Sequence, residues 1–279
     1  MIDAATMRWL LLHEARIHAI PGRDLRDLGD AILLHDAVEA EPFWNRLEGL
    51  SWPSDPGAFD RRLTETLVLF ASLGRTPHIW ASPVHDSPAD LVNRLEANGF
   101  RDLGSSHVML LGESAASDSA DGAEASEGSG GPDVTLERLS GIDPAQVEAA
   151  ASAIVKVLVD AFDVEPERTS GIEAETGSSL RHPWFTHYLA RVDGVPASVA
   201  RRATFEGATY LSSIGTAGWA RGRGLGSLVT RAAVADAVAA GSRWTYLGVF
   251  ADNPTAIRIY ERIGFQQLGG AAPDLLLVP

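Results

Sequence analysis

IGTAGWARGRGLGSLVTRAAVADAVAAG, residues 214–241, decides the fold, because it passes from a strand through a glycine-rich turn into a helix. Glycines at 222, 224 and 226 punctuate the turn. Leu225, Leu228, Val229, Ala232 and Val238 then recur at near-helical spacing until Gly241 stops the helix. Upstream, Ala197–Ala203 and Ala208–Thr216 read as strands around the turn Phe205-Glu206-Gly207, which predicts a hairpin. Downstream, WTYLGVF at 244–250 reads as a buried strand. Asn253-Pro254 opens a second helix, with Asn as cap and Pro at the first helical position, and Gly264 ends it. The predicted order is hairpin, glycine loop, helix, strand, helix.

A loop that ends a strand and opens a helix aims several unpaired backbone N–H groups, and the positive end of the helix dipole, at one point, which suits an anion. Gly222, Gly224 and Gly226 let a ligand approach the backbone, and Arg221 and Arg223 can add charge-assisted hydrogen bonds to phosphate oxygens. The dinucleotide fingerprint G-x-G-x-x-G fits poorly: Gly222 and Gly224 would need a glycine where Ser227 stands, and that motif belongs at the first strand of a domain. The triphosphate loop G-x-x-x-x-G-K-[ST] is absent, since no Lys follows these glycines. The phosphates of coenzyme A remain, beside the plain alternative of a glycine-rich turn with no ligand.

The loop and its surroundings resemble the GNAT superfamily of acyl-CoA-dependent N-acyltransferases. Its motif [QR]-x-x-G-x-[GA] is met by Arg221, Gly224 and Gly226; its downstream N-x-x-A-x-x-x-Y and Gly-Phe pair are met by Asn253, Ala256, Tyr260, Gly264 and Phe265. The resemblance covers about Val134 to Leu277. It implies an α/β (α+β) fold, a mixed and mostly antiparallel twisted sheet flanked by helices, in which strand 208–216 splays from the parallel strand 244–250. It also implies acetyl-CoA as co-substrate, with its pyrophosphate cradled by Arg221, Gly222, Arg223, Gly224, Leu225, Gly226 and Ser227. Ile214, Thr216 and Ala217 would face the thioester, where a backbone N–H could polarise its carbonyl, and Asn253, Ala256 and Tyr260 would complete the site. The apolar residue and following Pro that the family normally has near Thr216 and Gly218 are missing here.

The resemblance makes Tyr260 the general acid for the departing CoA thiolate. A phenol with a pKa near 10 is protonated at neutral pH and suits a thiol that titrates around 8.5. The competing reading places Tyr260 with Ala256, Ile259 and Ile263 on one helical face, as a core aromatic. An attacking amine, with a pKa near 10.4, needs a base or a water chain. Asp160, Asp163, Glu165, His182 and His187 lie where an acceptor site is expected, though each reads as readily as a solvated or structural residue. No metal is expected: HEARIH puts His13 and His18 five apart, about 140° around a helix, not the four of H-E-x-x-H. No G-x-S-x-G elbow is present either.

The 279 residues, 45% hydrophobic and 22% charged, suffice for two domains. A net charge of -14 argues against nucleic acid as partner. The lack of cysteine removes disulfides, thiolate sites and a cysteine nucleophile. The opening MIDAATMRWLLLHEARIHAI reads as a strand and not as a signal, and no run reaches a membrane span, so a soluble cytoplasmic protein is expected. The small, acidic segment Glu113–Pro132 has nothing to bury and reads as a flexible linker. It separates domain 1–112 from domain 133–279.

DLVNRLEANGFRDLG (90–104) and TAIRIYERIGFQQLG (255–269) match at a constant offset of 165 (261 less 96) in Glu, Gly, Phe, Leu and Gly. This points to a tandem duplication, although a helix ending in Gly is a common cap. The first half has one glycine in SDPGAFDRRLTETLVLFASLG (54–74), no basic pair before it, and Leu95 opposite Tyr260. It reads as a degenerate GNAT-like domain without coenzyme A. The expected activity is acetyl transfer to the amine of a small molecule, with an acyl-CoA sensor or a protein acetyltransferase as alternatives, in a monomer or homodimer. The tandem arrangement also resembles mycothiol synthases, which implies an aminoacyl-sugar amine, though no acceptor motif supports it.

Overall fold

Several helices begin where the chain supplies an acceptor for their first free N–H groups. In the computed structural model, which describes residues 2–82, 84–112 and 133–278, Asp3 caps α1 (Ala4–Ala19) by accepting from Thr6 N at 2.7 Å. Asp55 caps α2 (Pro56–Leu73) through Ala58 N at 2.8 Å. After the short α3 (Leu91–Ala97), Asp143 caps α4 (Pro144–Phe162) through Ala145 N at 2.8 Å. Next come α5 (Thr169–Arg181), α6 (Leu225–Ala239) and α7 (Pro254–Ile263).

The N-terminal segment is therefore a helix, not the strand that its Trp-Leu-Leu-Leu run suggests. Met7, Leu10, Leu11, Ala15 and Ile17 are buried, so the helical period overrides the local β-like run once Asp3 has set the start. The segment 113–132 lies outside the described residues.

The first sheet has the order β1 (Asp24–Asp27), β2 (Ile32–His35), β3 (Arg46–Glu48), β4 (His78–Trp80), β13 (Asp274–Leu277), β5 (Phe100–Asp102). All its pairs are antiparallel except β3 with β4. The second sheet has the order β12 (Phe265–Gln267), β6 (Ser106–Leu111), β11 (Trp244–Phe250), β10 (Ala208–Thr216), β9 (Val195–Phe205), β8 (Phe185–Val192), β7 (Val134–Leu139). Strands β7 to β10 pair antiparallel in turn, and β10 pairs with β11 in parallel. A parallel pair needs a crossover, and here each crossover is a helix: β3-α2-β4 in one sheet, β10-α6-β11 in the other. The helix after each pair ends at a glycine with positive φ, Gly99 at 95° and Gly264 at 108°. The fold is thus α/β with two mixed sheets flanked by helices.

The two units are not consecutive halves. One comprises Met1–Val108, Val249–Pro254 and Gln267–Pro279; the other comprises Met109–Gly248 and Thr255–Gln266. The last strand, β13, completes the first sheet between β4 and β5, while β6 lies between β11 and β12 in the second. Leu33, Leu47, Phe59, Phe70, Ile79, Leu95 and Leu275 build the core of the first unit. In the second, Val147, Ile154, Leu158 and Leu180 of α4 and α5 pack on Leu189 and Val199 of the sheet. No helix among the described residues is long and apolar enough to cross a membrane.

Candidate functional site

The parallel ladder between β10 and β11 runs from Ala208↔Trp244 to Leu211↔Leu247 and ends there, although both strands continue. Just beyond, β10 bulges: Ser212 faces Arg201 and Gly215 faces Val199, so Ser213 and Ile214 together oppose a single residue of β9. Ser213 has a φ of 51°, a conformation that costs a non-glycine residue energy and recurs at functional sites. The expected splay of this strand pair is therefore present. Ala217, expected to face the thioester, donates its N–H to Ala197 O at 2.9 Å. The residues freed from the ladder are Ser213 and Ile214. Thr216 is held by a hydroxyl contact with Ser198 at 2.9 Å.

The ends of the glycine loop are pinned, and its middle is open. Ala220 and Leu225 are buried in a small cluster with Val192 and Ala197, while residues 221–224 are exposed. Gly222 and Gly224 both have a φ of 77°, with nothing near the place a Cβ would occupy. Gly224 is also the cap residue of α6 and offers the helix no side-chain acceptor. Leu228 N closes the first helical turn onto Gly224 O, which leaves the N–H groups of Leu225, Gly226 and Ser227 as the orphan donors of that turn. A Cβ on Gly226 would lie 3.3 Å from Thr216 Oγ1, so the end of the strand and the start of the helix lie close together. Arg221 donates to Thr216 O and Ala161 O, and Arg223 lies over Trp219.

Asn253, Ala256 and Tyr260 are positioned by the opening of α7, where Asn253 N donates to Phe250 O at 3.1 Å. Ala256 is half-buried, and Tyr260 is 7% exposed against Phe265, ring centroids 6.1 Å apart. Burial pushes the Tyr260 phenol up to about 12. Its ring is thus a packed aromatic, as the competing reading held, with a hydroxyl that stays protonated.

Of the residues considered as bases, Asp160 accepts from Gly218 N at 2.5 Å. His182 uses Nδ1 to accept from Trp184 N at 3.3 Å, and burial lowers its pKa. His187 is buried beside Ser179 Oγ at 2.8 Å from Nε2, and burial, helped by Arg201, pushes its pKa down to about 3.

A folded-state pKa below the unfolded 6.5 means that folding rejects the proton on His187. The stabilisation is complete above pH 6.5 and is lost as pH falls towards 3, at up to about 1.4 kcal/mol per pH unit. His187→Gln should flatten the loss of thermal midpoint between pH 6.5 and 5 relative to the parent chain, in which every other titrating group is unchanged. Equal slopes for the variant and the parent chain would refute this.

Sequence reasoning missed the role of the end of α4. A Cβ on Gly215 would lie 2.9 Å from Ala161 Cβ and 3.3 Å from Phe162 Cε2, so β10 needs glycine there to receive the helix. A signal was available: a carboxylate in the last turn of a helix opposes the dipole, so Asp160 needed a partner elsewhere. Among the described residues, no group of three or more His, Cys, Asp or Glu side chains is gathered to hold a metal ion.

Residues 153–265 match the model of the acetyltransferase (GNAT) family, and this part of the chain is a GNAT acetyltransferase domain. The chain is similar to a mycothiol acetyltransferase from Streptomyces avermitilis, 28% identical over 203 residues; the match covers 71% of this chain and 61% of that protein, so it spans less than two thirds of the relative. Among solved structures it is similar to a GCN5-related N-acetyltransferase from Kribbella flavida, with a TM-score of 0.64 and 22% identity over 95% of each chain. Another, from Sphaerobacter thermophilus, has a TM-score of 0.58 and 18% identity, covering 90% of this chain and 78% of that one. These likenesses extend the GNAT fold to most of the chain.

Proposed function

We propose that the protein is an N-acetyltransferase that moves an acetyl group from acetyl-CoA directly to the primary amine of a small molecule. The observation that carries this reading is the preformed cradle at the start of α6, where Gly222 and Gly224 open the backbone beside the bulged end of β10. The amine nitrogen attacks the thioester carbon next to Ser213 and Ile214, the carbon–sulfur bond breaks, and the thiolate takes the Tyr260 proton. The amine's own proton leaves to a base or a water chain.

The turn after α4 supports a cationic acceptor. Phe162 is 54% exposed above Gly215, and Asp163, Glu165 and Glu167 follow it, all exposed. The negative end of the α4 dipole points the same way. The name carried by the Streptomyces relative makes the aminoacyl-sugar amine the acceptor to test first. In the first unit, the segments that follow β3 and β4 are bridged again, in parallel, at Ser51↔Ser87, with Ser87 N on Leu50 O and Trp52 N on Ser87 O. This supports the reading of that unit as GNAT-like without a coenzyme A site.

The test is acetyl-CoA calorimetry on the intact chain, because a cut within 113–132 would take a strand from each sheet. Micromolar binding followed by amine-dependent thiol release is expected. Binding without release for any amine would favour a sensor, and no binding would overturn the assignment.

A further inference from the structure

The loop carries two arginines that a phosphate argument treats alike, and their surroundings differ. Arg221 turns back on the protein: Nη2 donates to Ala161 O at 3.0 Å and Nε to Thr216 O at 3.3 Å. Ala161 lies in the last turn of α4, whose terminal carbonyls lack helical partners and carry the negative end of the dipole. Asp160 of the same turn reaches the other way, accepting from Gly218 N at 2.5 Å. The end of α4 and the entry to the loop are thus tied at two points of opposite polarity, over the contact of Ala161 and Phe162 with Gly215. Arg223 is exposed between two open glycines, its guanidinium 5.7 Å from the ring centre of Trp219, which is itself 48% exposed.

From this contrast we infer that the two arginines divide the work. Arg221 is a positioning residue, a strut that fixes the cradle on α4. Arg223, steadied by Trp219, is the residue that meets the phosphates of the ligand. The inference rests on the acyl-CoA reading. A strut must reach both carbonyls, and the two contacts run through Nη2 and Nε, so it needs the donors and the full length of the side chain more than the charge. A phosphate contact at Arg223 needs the charge.

The experiment is calorimetry of coenzyme A with the intact chain at low and moderate salt. Arg223→Gln should weaken binding about tenfold and make it less sensitive to salt. Arg221→Met, which cannot donate, should lose about tenfold while keeping the parent's salt sensitivity. Thermal midpoints separate misfolding from lost contacts. If Arg221→Met lowers salt sensitivity as much as Arg223→Gln, or if Arg223→Gln binds as the parent does, the division of work is wrong. A parent chain that binds no coenzyme A would overturn the acyl-CoA reading itself.

Discussion

Gly224→Val is expected to abolish measurable acetyl-CoA binding while the chain stays folded. Gly224 holds a φ of 77° and a ψ of 2° at the cap of α6, a region that costs an ordinary residue about 1–2 kcal/mol and a β-branched one more. The chain escapes that strain by turning the peptide, which re-aims the N–H groups of residues 225–227. Losing two or three charge-assisted backbone contacts, at about 1.5–3 kcal/mol each, amounts to more than a hundredfold in affinity. Gly241→Val provides the control. It sits at the other end of the same helix with a φ of 72° and open space around it, so it carries the same strain without touching the cradle. If both variants bind alike, the loop is a structural turn and the enzyme assignment goes with it.

How much of this could be read in the sequence depends on distance along the chain. The hairpin, the glycine loop, α6, β11 and α7 follow one another and were legible, because caps and periodicity act over a few residues. The pairing of the last strand, β13, was not. Asp274–Leu277 pairs with Trp80–His78 and with Asp102–Phe100, and no local pattern says that a terminal strand crosses to a sheet built nearly two hundred residues earlier. The N-terminal helix failed for a different reason. Its apolar run Trp9–Leu12 is β-like in any short window, and only the Asp3 cap and the full turn spacing through Ile17 reveal the helix. At the site, the glycines and arginines could be listed from the motif, but the separate tasks of Arg221 and Arg223 depend on where α4 ends. That is a tertiary fact.

Tyr260→Phe should lower the rate of acetyl transfer about a hundredfold with the acetyl-CoA affinity unchanged. The substitution removes one oxygen and keeps the ring that packs on Phe265, so a fold defect is not expected. The phenol, pushed up to about 12 by burial, stays protonated at neutral pH. Its raised value also means that folding holds this proton: the contribution is full below pH 10 and is lost as pH rises through 12. No alkaline limb of the rate profile near pH 10 should therefore belong to Tyr260. A phenol at 12 is a weak acid towards a thiolate near 8.5 in water. Burial that raises the phenol raises a thiolate formed in the same dry surroundings, however, so the two are better matched than their solution values suggest. In the proposed role, Tyr260 would give a strong hydrogen bond to the departing sulfur that becomes proton transfer as the bond breaks. Single-turnover thiol release with a saturating amine reads this step directly. If Tyr260→Phe transfers acetyl as fast as the parent chain, Tyr260 is only a core aromatic, and the leaving thiolate draws its proton from water.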